Sequence, residues 1–282
     1  MLDAIIQYFE NIPSLHRTLI LVGGLTIFSL IESAVPLFSL KYDRLKHAGI
    51  NLFFTLTTII VNFFLAFLLV KSSDWVVASE FGIIQWLALP IWAQLILGLL
   101  LLDLIGAYIV HYIEHHVTWM WKFHVVHHTD QNVDTTTANR HHPGESVIRF
   151  VFAIIATIIV GAPMWLVFLY QSMSVVLSQF NHANITLPKW LDQGLLIMFC
   201  TPNMHRVHHH YRMPYSDSNY GNIFSFWDRV FGTYKKVDNT KLVYGCDTYM
   251  GEEEAGNIGM MLKIPFIPYR QKIEYPEPEN LE

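Results

Sequence analysis

Apolar residues run along this chain in blocks too long for a soluble core. Thr18 to Leu40, Ala48 to Val70 and Ile83 to Leu102 each hold about the 20 residues that carry a helix across ~30 Å of hydrocarbon. A fourth stretch, Val147 to Phe180, is interrupted at Gly161-Ala-Pro163. It reads as a hairpin of about 14 and 18 residues, roughly 21 and 27 Å of helix, that enters and leaves from one side. Lys41, Arg44 and Lys46 lie between the first two blocks, whereas the next connection sets Lys71 against Asp74 and Glu80. The bias of basic residues toward the cytoplasm places residues 41–47 there and residues 71–82 outside, together with an N-terminus bearing Asp3 and Glu10. The third block then passes Asp103 and emerges on the cytoplasmic side near His111. Residues 111–146 and 181–282 are left as a cytoplasmic cap, with Trp119, Met120 and Trp121 suited to the membrane–water boundary.

Composition agrees with a membrane solvent. Charged residues make up 15% of the 282 and hydrophobic ones 52%, against about 25% charged in a typical soluble domain. The net charge of -5 argues against a nucleic-acid surface. The two cysteines, Cys200 and Cys246, form neither a disulfide framework nor a thiolate metal motif. The first residues lack the basic and apolar regions of a secretory leader. The predicted fold is an all-α integral membrane protein with about four to five membrane helices, the hairpin included, beneath a histidine-rich cytosolic cap. It divides into membrane spans at 1–102, a metal-bearing region at 103–240 and a tail at 241–282. The tail, with Glu252 to Glu254 and its closing Tyr-Pro-Glu-Pro-Glu run, reads as cap edge or loose terminus.

Histidine spacing carries the chemistry. Thirteen of the 15 histidines lie between His111 and His210. They fall into groups: His111-Tyr-Ile-Glu-His115-His116, His124-Val-Val-His127-His128, His141-His142, His182, and His205-Arg-Val-His208-His209-His210. Helix positions i, i+3 and i+4 share a face, so each box can aim two or three imidazoles one way. Neutral imidazole suits iron, zinc, copper and nickel rather than calcium or magnesium. The three boxes supply eight ligands, and His182 and His142 would extend the set to ten; a converging set of that size serves two metals. His16 and His47 read as surface residues near the membrane. Glu114, Asp130 and Asp228 are near enough to accept the second ring N–H of a ligand. Asp103 lies about 12 Å of helix rise before His111, lining a pocket or anchoring a neighbour. Glu32, a carboxylate inside a span, is a functional suspect or a reach into the cap. His111-Tyr-Ile-Glu-His115 also matches an inverted zinc-protease pattern, which would leave the later histidines idle.

His111-x-x-x-His115, His124-x-x-His127-His128 and His205-x-x-His208-His209 resemble the three boxes of the fatty acid hydroxylase/sterol desaturase superfamily. The Asp103 to Tyr108 approach, Arg140-His-His-Pro143, Asn181-His-Ala-Asn184 and the Asn219 to Tyr234 segment are similar to it as well, in the same order. The resemblance implies a non-haem di-iron centre, with zinc as a substitute in purified protein. It assigns ligand roles to His111, His115, His124, His127, His128, His182, His205, His208 and His209, and less uniformly to His142. It also implies dioxygen-dependent hydroxylation or desaturation of a lipid drawn from the bilayer. No dinucleotide fingerprint, flavin or haem region is evident, so electrons would come from a separate protein docking on the cap. Such a protein would reside in a bacterial inner membrane or the endoplasmic reticulum with its metals facing the cytoplasm. Two other classes use the same histidines: a zinc-dependent membrane hydrolase, and a metal-handling protein.

Overall fold

In lipid every backbone N–H and C=O needs an internal partner, and helices provide it within each segment. The computed structural model describes residues 1–275 and 281, and among these the regular structure is helical, with isolated β-bridges only. The main helices are α1 (Leu2–Glu10), α2 (Ser14–Ala34), α3 (Arg44–Ala78), α4 (Ile91–His116), α5 (Thr118–His128), α6 (Pro143–Val160), α7 (Met164–His182), α8 (Lys189–Leu196), α9 (Pro202–His208) and α10 (Phe226–Val230), followed by two short ones, α11 (Glu252–Gly256) and α12 (Ile258–Lys263). Four are long and apolar enough to cross a membrane: α2, α3 with its short continuation to Trp86, α4 and α6. Phe63, Phe64 and Phe67 are exposed on the outer face of α3, a patch that belongs against acyl chains.

The helix limits differ from the apolar blocks where local chemistry intervenes. α2 stops at Ala34 because Pro36 cannot continue it. α3 starts early, its N-terminus capped by the Asp43 side chain accepting from Lys46 N–H at 3.0 Å. It then runs through Lys71 and Asp74, which stand on the helix rather than in a loop. The third block yields only a turn at Ile83–Trp86 before Pro90 resets the chain, and α4 proper begins at Ile91. Over Leu104–Ile109 α4 widens into a π-helix immediately ahead of His111.

The hairpin forms as expected, with longer arms. Pro143 occupies the first turn of α6, and Gly161 closes it in the left-handed region at φ 74°. The tip docks on the far end of α3: Ser73 Oγ donates to Ala162 O at 2.9 Å and Gln85 Nε2 to Gly161 O at 2.9 Å. A Cβ on Gly82 would collide with the Gly161 backbone and one on Gly161 with Phe81 O, and both residues have positive φ, so both positions call for glycine. With 18 and 19 residues, the arms are about 27 Å long and traverse most of the bilayer.

The ends of α2, α4 and α7 and the starts of α3 and α6 therefore meet on one side, under the cap. Glu32 belongs to this junction. Its Oε1 accepts from Thr135 N–H (2.6 Å), Thr135 Oγ1 (2.8 Å) and Asn184 N–H (2.7 Å), stitching α2 to two cap loops. His47 is buried rather than at the surface, with Nε2 2.8 Å from Asp130 and Nδ1 3.1 Å from Asp134. Of the three residues expected at the membrane boundary only Trp119 is exposed, while Met120 and Trp121 are buried. The chain after 240 forms the cap edge: Cys246, Tyr249, Met261 and Ile264 pack with Trp121, Val125 and Val126 of α5. Within the closing acidic run, residues 276–279 lie outside the described residues.

Replacing Glu32 by Ala strands three buried donors, at about 1–3 kcal/mol each when left unsatisfied. Glu32→Ala should lower thermal stability in detergent by on the order of 3 kcal/mol or more, and Glu32→Gln, which keeps an acceptor oxygen, by clearly less. Equal melting of Glu32→Ala and the parent protein would show that this junction bears no load.

Candidate metal centre

Nine histidines converge at the top of the bundle in two adjoining groups. His111, His115, His124, His128 and His208 form one, and His127, His182, His205 and His209 the other; within each, a ring nitrogen from every member lies within 4.8 Å of all the rest. All nine are buried. The groups touch, with ring centroids 5.0 Å apart for His128 and His209 and 5.1 Å for His205 and His208.

Helical geometry explains the sorting. At about 100° per residue, position i+4 lies 40° from i, whereas i+3 lies 60° away on the other flank. The pairs His111/His115, His124/His128 and His205/His209 each enter a single group. The i+3 members, His127 and His208, go to the opposite one. Each longer box thus serves both groups rather than aiming all its imidazoles one way.

The second ring nitrogens reveal which atoms face inward. His111 Nδ1 donates to Tyr220 O at 2.9 Å, His208 Nδ1 to Ser218 O at 2.8 Å and His182 Nδ1 to Ser178 O at 2.7 Å. Carbonyl oxygens only accept, so these Nδ1 atoms carry the proton and each Nε2 presents a lone pair. His124 Nδ1 donates to Glu145 Oε1 at 2.7 Å and His115 Nδ1 to Asp217 Oδ1 at 2.9 Å. The bare Nε2 atoms of His111 and His124 then face one another at 3.2 Å, and further Nε2 pairs close in beside them: His128 and His124 at 3.2 Å, His182 and His127 at 3.1 Å, and His205 and His182 at 3.2 Å. Two lone pairs at that distance repel unless a cation lies between them. Nitrogens bound about 2.1 Å from one ion at 90–109° are roughly 3.0–3.4 Å apart, so the donor set fits a transition metal in each group. Either histidine group could hold one ion.

Burial holds His127, His128, His205, His208 and His209 well below the ordinary imidazole value, and neighbouring imidazoles lower them further. Burial also takes His124 down to about 4, against the pull of Glu145. These rings are neutral and ready to ligate at neutral pH.

Several expected residues stand elsewhere. His142 enters neither group: it caps α6, its Nδ1 accepting from Gly144 N–H at 2.9 Å. Asp130 does not accept from a box histidine. It holds His47, Thr137 Oγ1 (2.7 Å) and the backbone of Asn132 instead. Burial would raise its carboxyl, but His47 and Arg140 hold it well below the usual range. Asp103 anchors the closing loop, accepting from Ile223 N–H, Phe224 N–H and Trp227 Nε1. Asp228 acts one step away, accepting from Tyr220 and Gly221 N–H at 2.8 and 2.9 Å and so fixing the carbonyl that orients His111. Glu114 lies 3.8 Å from His124 Nδ1, its Oε2 occupied by Arg149. His210 accepts from Val243 N–H, away from both groups.

The carboxylates in contact with ligands are Glu145 and Asp217, which the sequence reading did not select. Glu145 carries a signal, standing i+4 from His141, whose Nδ1 also donates to it at 2.8 Å. Asp217 carries none, because it sits in an irregular loop and is held by Lys272 from the far end of the chain at 2.7 Å.

The geometry defines a class: a helical membrane protein with two adjoining all-histidine clusters, each able to hold a metal ion, beneath its cap. The profile of the fatty acid hydroxylase family matches residues 95–233, the segment holding all nine histidines, and the chain belongs to that family. Among curated proteins it is similar to the ornithine lipid hydroxylase OlsE of Rhizobium tropici, 26% identical over 55% of this chain and 45% of that protein. It is 31% identical to the alkylglycerol monooxygenase of Homo sapiens over 50% of this chain and 30% of that one. A very-long-chain aldehyde decarbonylase of Oryza sativa, GL1-11, is 25% identical over 57% of this chain and 61% of its own length. The chain spans less than half the length of the first two. No solved structure matches it.

Glu145→Ala and Asp217→Ala should each weaken metal retention about 10–100-fold in chelator competition. Metal per chain should drop in His208→Ala and His209→Ala and hold in His210→Ala. Parental retention in both carboxylate variants would show that the acceptors do not tune the ligands.

The depressed imidazoles also set a pH response. Unfolded histidines protonate near pH 6.5, whereas His124 in the fold does so near 4. Their contribution to stability is therefore complete above about pH 6.5 and is lost as pH falls from there toward 4. Melting temperatures of metal-free protein should decline across that window, and a flat profile between pH 7 and 4.5 would contradict it.

Proposed function

We propose that the protein is a di-iron oxygenase that hydroxylates or desaturates a C–H bond of a membrane lipid, using dioxygen and electrons from a separate donor protein. The observation that supports this reading most is the pair of adjoining groups of bare, buried imidazole nitrogens. Nine neutral ligands leave two divalent ions with their charge nearly uncompensated by protein carboxylates, which suits redox-active iron. Two ferrous ions bound there would supply the reducing power to activate dioxygen. The chain's own residues hold five of the imidazoles, His111, His115, His124, His182 and His208, by the Nδ1 proton, which fixes the orientation and tautomer of those rings. Tyr220 and Trp121 flank His115 at 5.1 and 4.8 Å between ring centroids, and their rings keep water from that side of the first group.

A lipid substrate agrees with a site crowning apolar helices, and each of the three relatives is named for work on a lipid or a very-long-chain aldehyde. The basic connection at 41–47 joins the cap side through His47, and the positive-inside bias supports a centre facing the cytoplasm, where reduced donors are available.

Protein purified from iron-sufficient cells should hold close to two metals per chain, and saturation of well-folded protein at one would defeat the dinuclear reading. Lipid conversion should require both dioxygen and reductant. Label from oxygen-18 gas should appear in a hydroxylated product; desaturation would keep the gas requirement and send the label to water. Turnover under strict anaerobiosis without reductant would favour a zinc hydrolase instead.

A further inference from the structure

Two segments of the cap lie deeper than the metal centre. Asn222 Nδ2 donates to Ser174 Oγ at 2.7 Å, and Ile223, Phe224 and Trp227 donate to Asp103. Ser174 is eight residues before His182 on α7, and Asp103 eight before His111 on α4. On two separate helices, therefore, the 222–227 segment sits about 12 Å of helix rise below the histidines, on the membrane side. The 196–199 segment is bound to it: Ser225 N–H donates to Met198 O at 3.0 Å, Ser225 Oγ to Leu196 O at 2.6 Å, and Phe199 pairs with Phe224 in a β-bridge.

At that depth the outward side chains are apolar. Trp190, Ile197 and Val230 are 74%, 76% and 65% exposed, with Met198 and Phe231 beside them. Between the two segments opens a cleft of about 410 Å³ walled by Leu196, Ile197, Phe226 and the stem of Gln193. One cation stands at it, the exposed Arg229, held by Leu196 O at 2.9 Å and Ser225 Oγ at 3.1 Å and lying 4.9 Å from the centroid of the Tyr234 ring. An apolar wall with a positioned guanidinium at its edge matches the two ends of a phospholipid, chain and phosphate.

We propose that α8 and the 226–231 segment form a platform seated in the membrane interface, whose cleft takes a bilayer phospholipid with its phosphate on Arg229 and an acyl chain over Leu196, Ile197 and Phe226. The platform holds the cap down on the bilayer beside α4 and α7. It involves neither metal ligands nor turnover, so it stands or falls separately from the oxygenase reading.

The test uses the full chain in nanodiscs of phosphatidylglycerol and phosphatidylcholine. A bimane on Ile197→Cys should be quenched by lipids brominated high on the acyl chain and shielded from aqueous iodide, while one on Glu253→Cys shows the reverse. The two native cysteines are buried and stay unlabelled. Arg229→Gln should retain several-fold less phospholipid through delipidating detergent washes in native mass spectrometry, with Arg229→Lys recovering part of it. Quenching at 197 by iodide and not by brominated lipid would overturn the platform. Unchanged phospholipid retention in Arg229→Gln would overturn the phosphate site.

Discussion

Burying nine imidazoles is the constraint on which the rest of this structure depends. Each ring has two polar nitrogens, and a buried one left unpaired is costly. One nitrogen of a ligand needs an acceptor behind it, and the other needs a cation in front. Three backbone carbonyls and two carboxylates provide acceptors in the described structure, and they come from α7, α6 and the 217–220 loop. The bundle cannot be laid out by apolar packing alone; it must also bring those acceptors to the backs of the rings.

Much of the cap's polar structure serves that end at one remove. Arg140 is fully buried and ties Asn51 of α3, Val126 and Thr129 near the second box, and Ala255 of the C-terminal segment into one node. Arg206 does the same between the third box and the loop after His182, donating to Ala183 O and Ile185 O at 2.6 and 2.7 Å. Both guanidiniums meet mainly neutral oxygens, using fixed fork geometry more than charge. Asp103 and Asp228 bracket the 220–227 loop from below and within, so a membrane helix and a cap loop share one register.

Legibility in the sequence followed how local each cause was. Spans, hairpin and boxes are periodic or contiguous features, and they were readable with errors of a few residues where Pro36, Asp43 and Pro90 set the ends. Eight of the nine clustered histidines stood out because i, i+3 and i+4 spacing survives folding, whereas the lone His182 was singled out only through the resemblance to the family. His142 misled because adjacency to His141 says nothing of aim: its backbone begins α6, and its ring is used as the cap. Asp130 was near His128 in sequence yet turned to His47, eighty-three positions away, and no pattern announces such a pairing. Asp217 and Glu145 met their histidines only through tertiary closure, across 102 and 21 residues. Glu32 was conspicuous as a charge within a span, but its partners lay in loops no periodicity could place.

The interleaving of the boxes has a consequence for assembly. α5 gives His124 and His128 to one group and His127 to the other, and α9 with its cap residue divides its histidines likewise. Neither group is an independent module: three of the four histidines in the second, His127, His205 and His209, ride on segments that also carry members of the first. Any displacement of α5 or α9 therefore disturbs both groups at once.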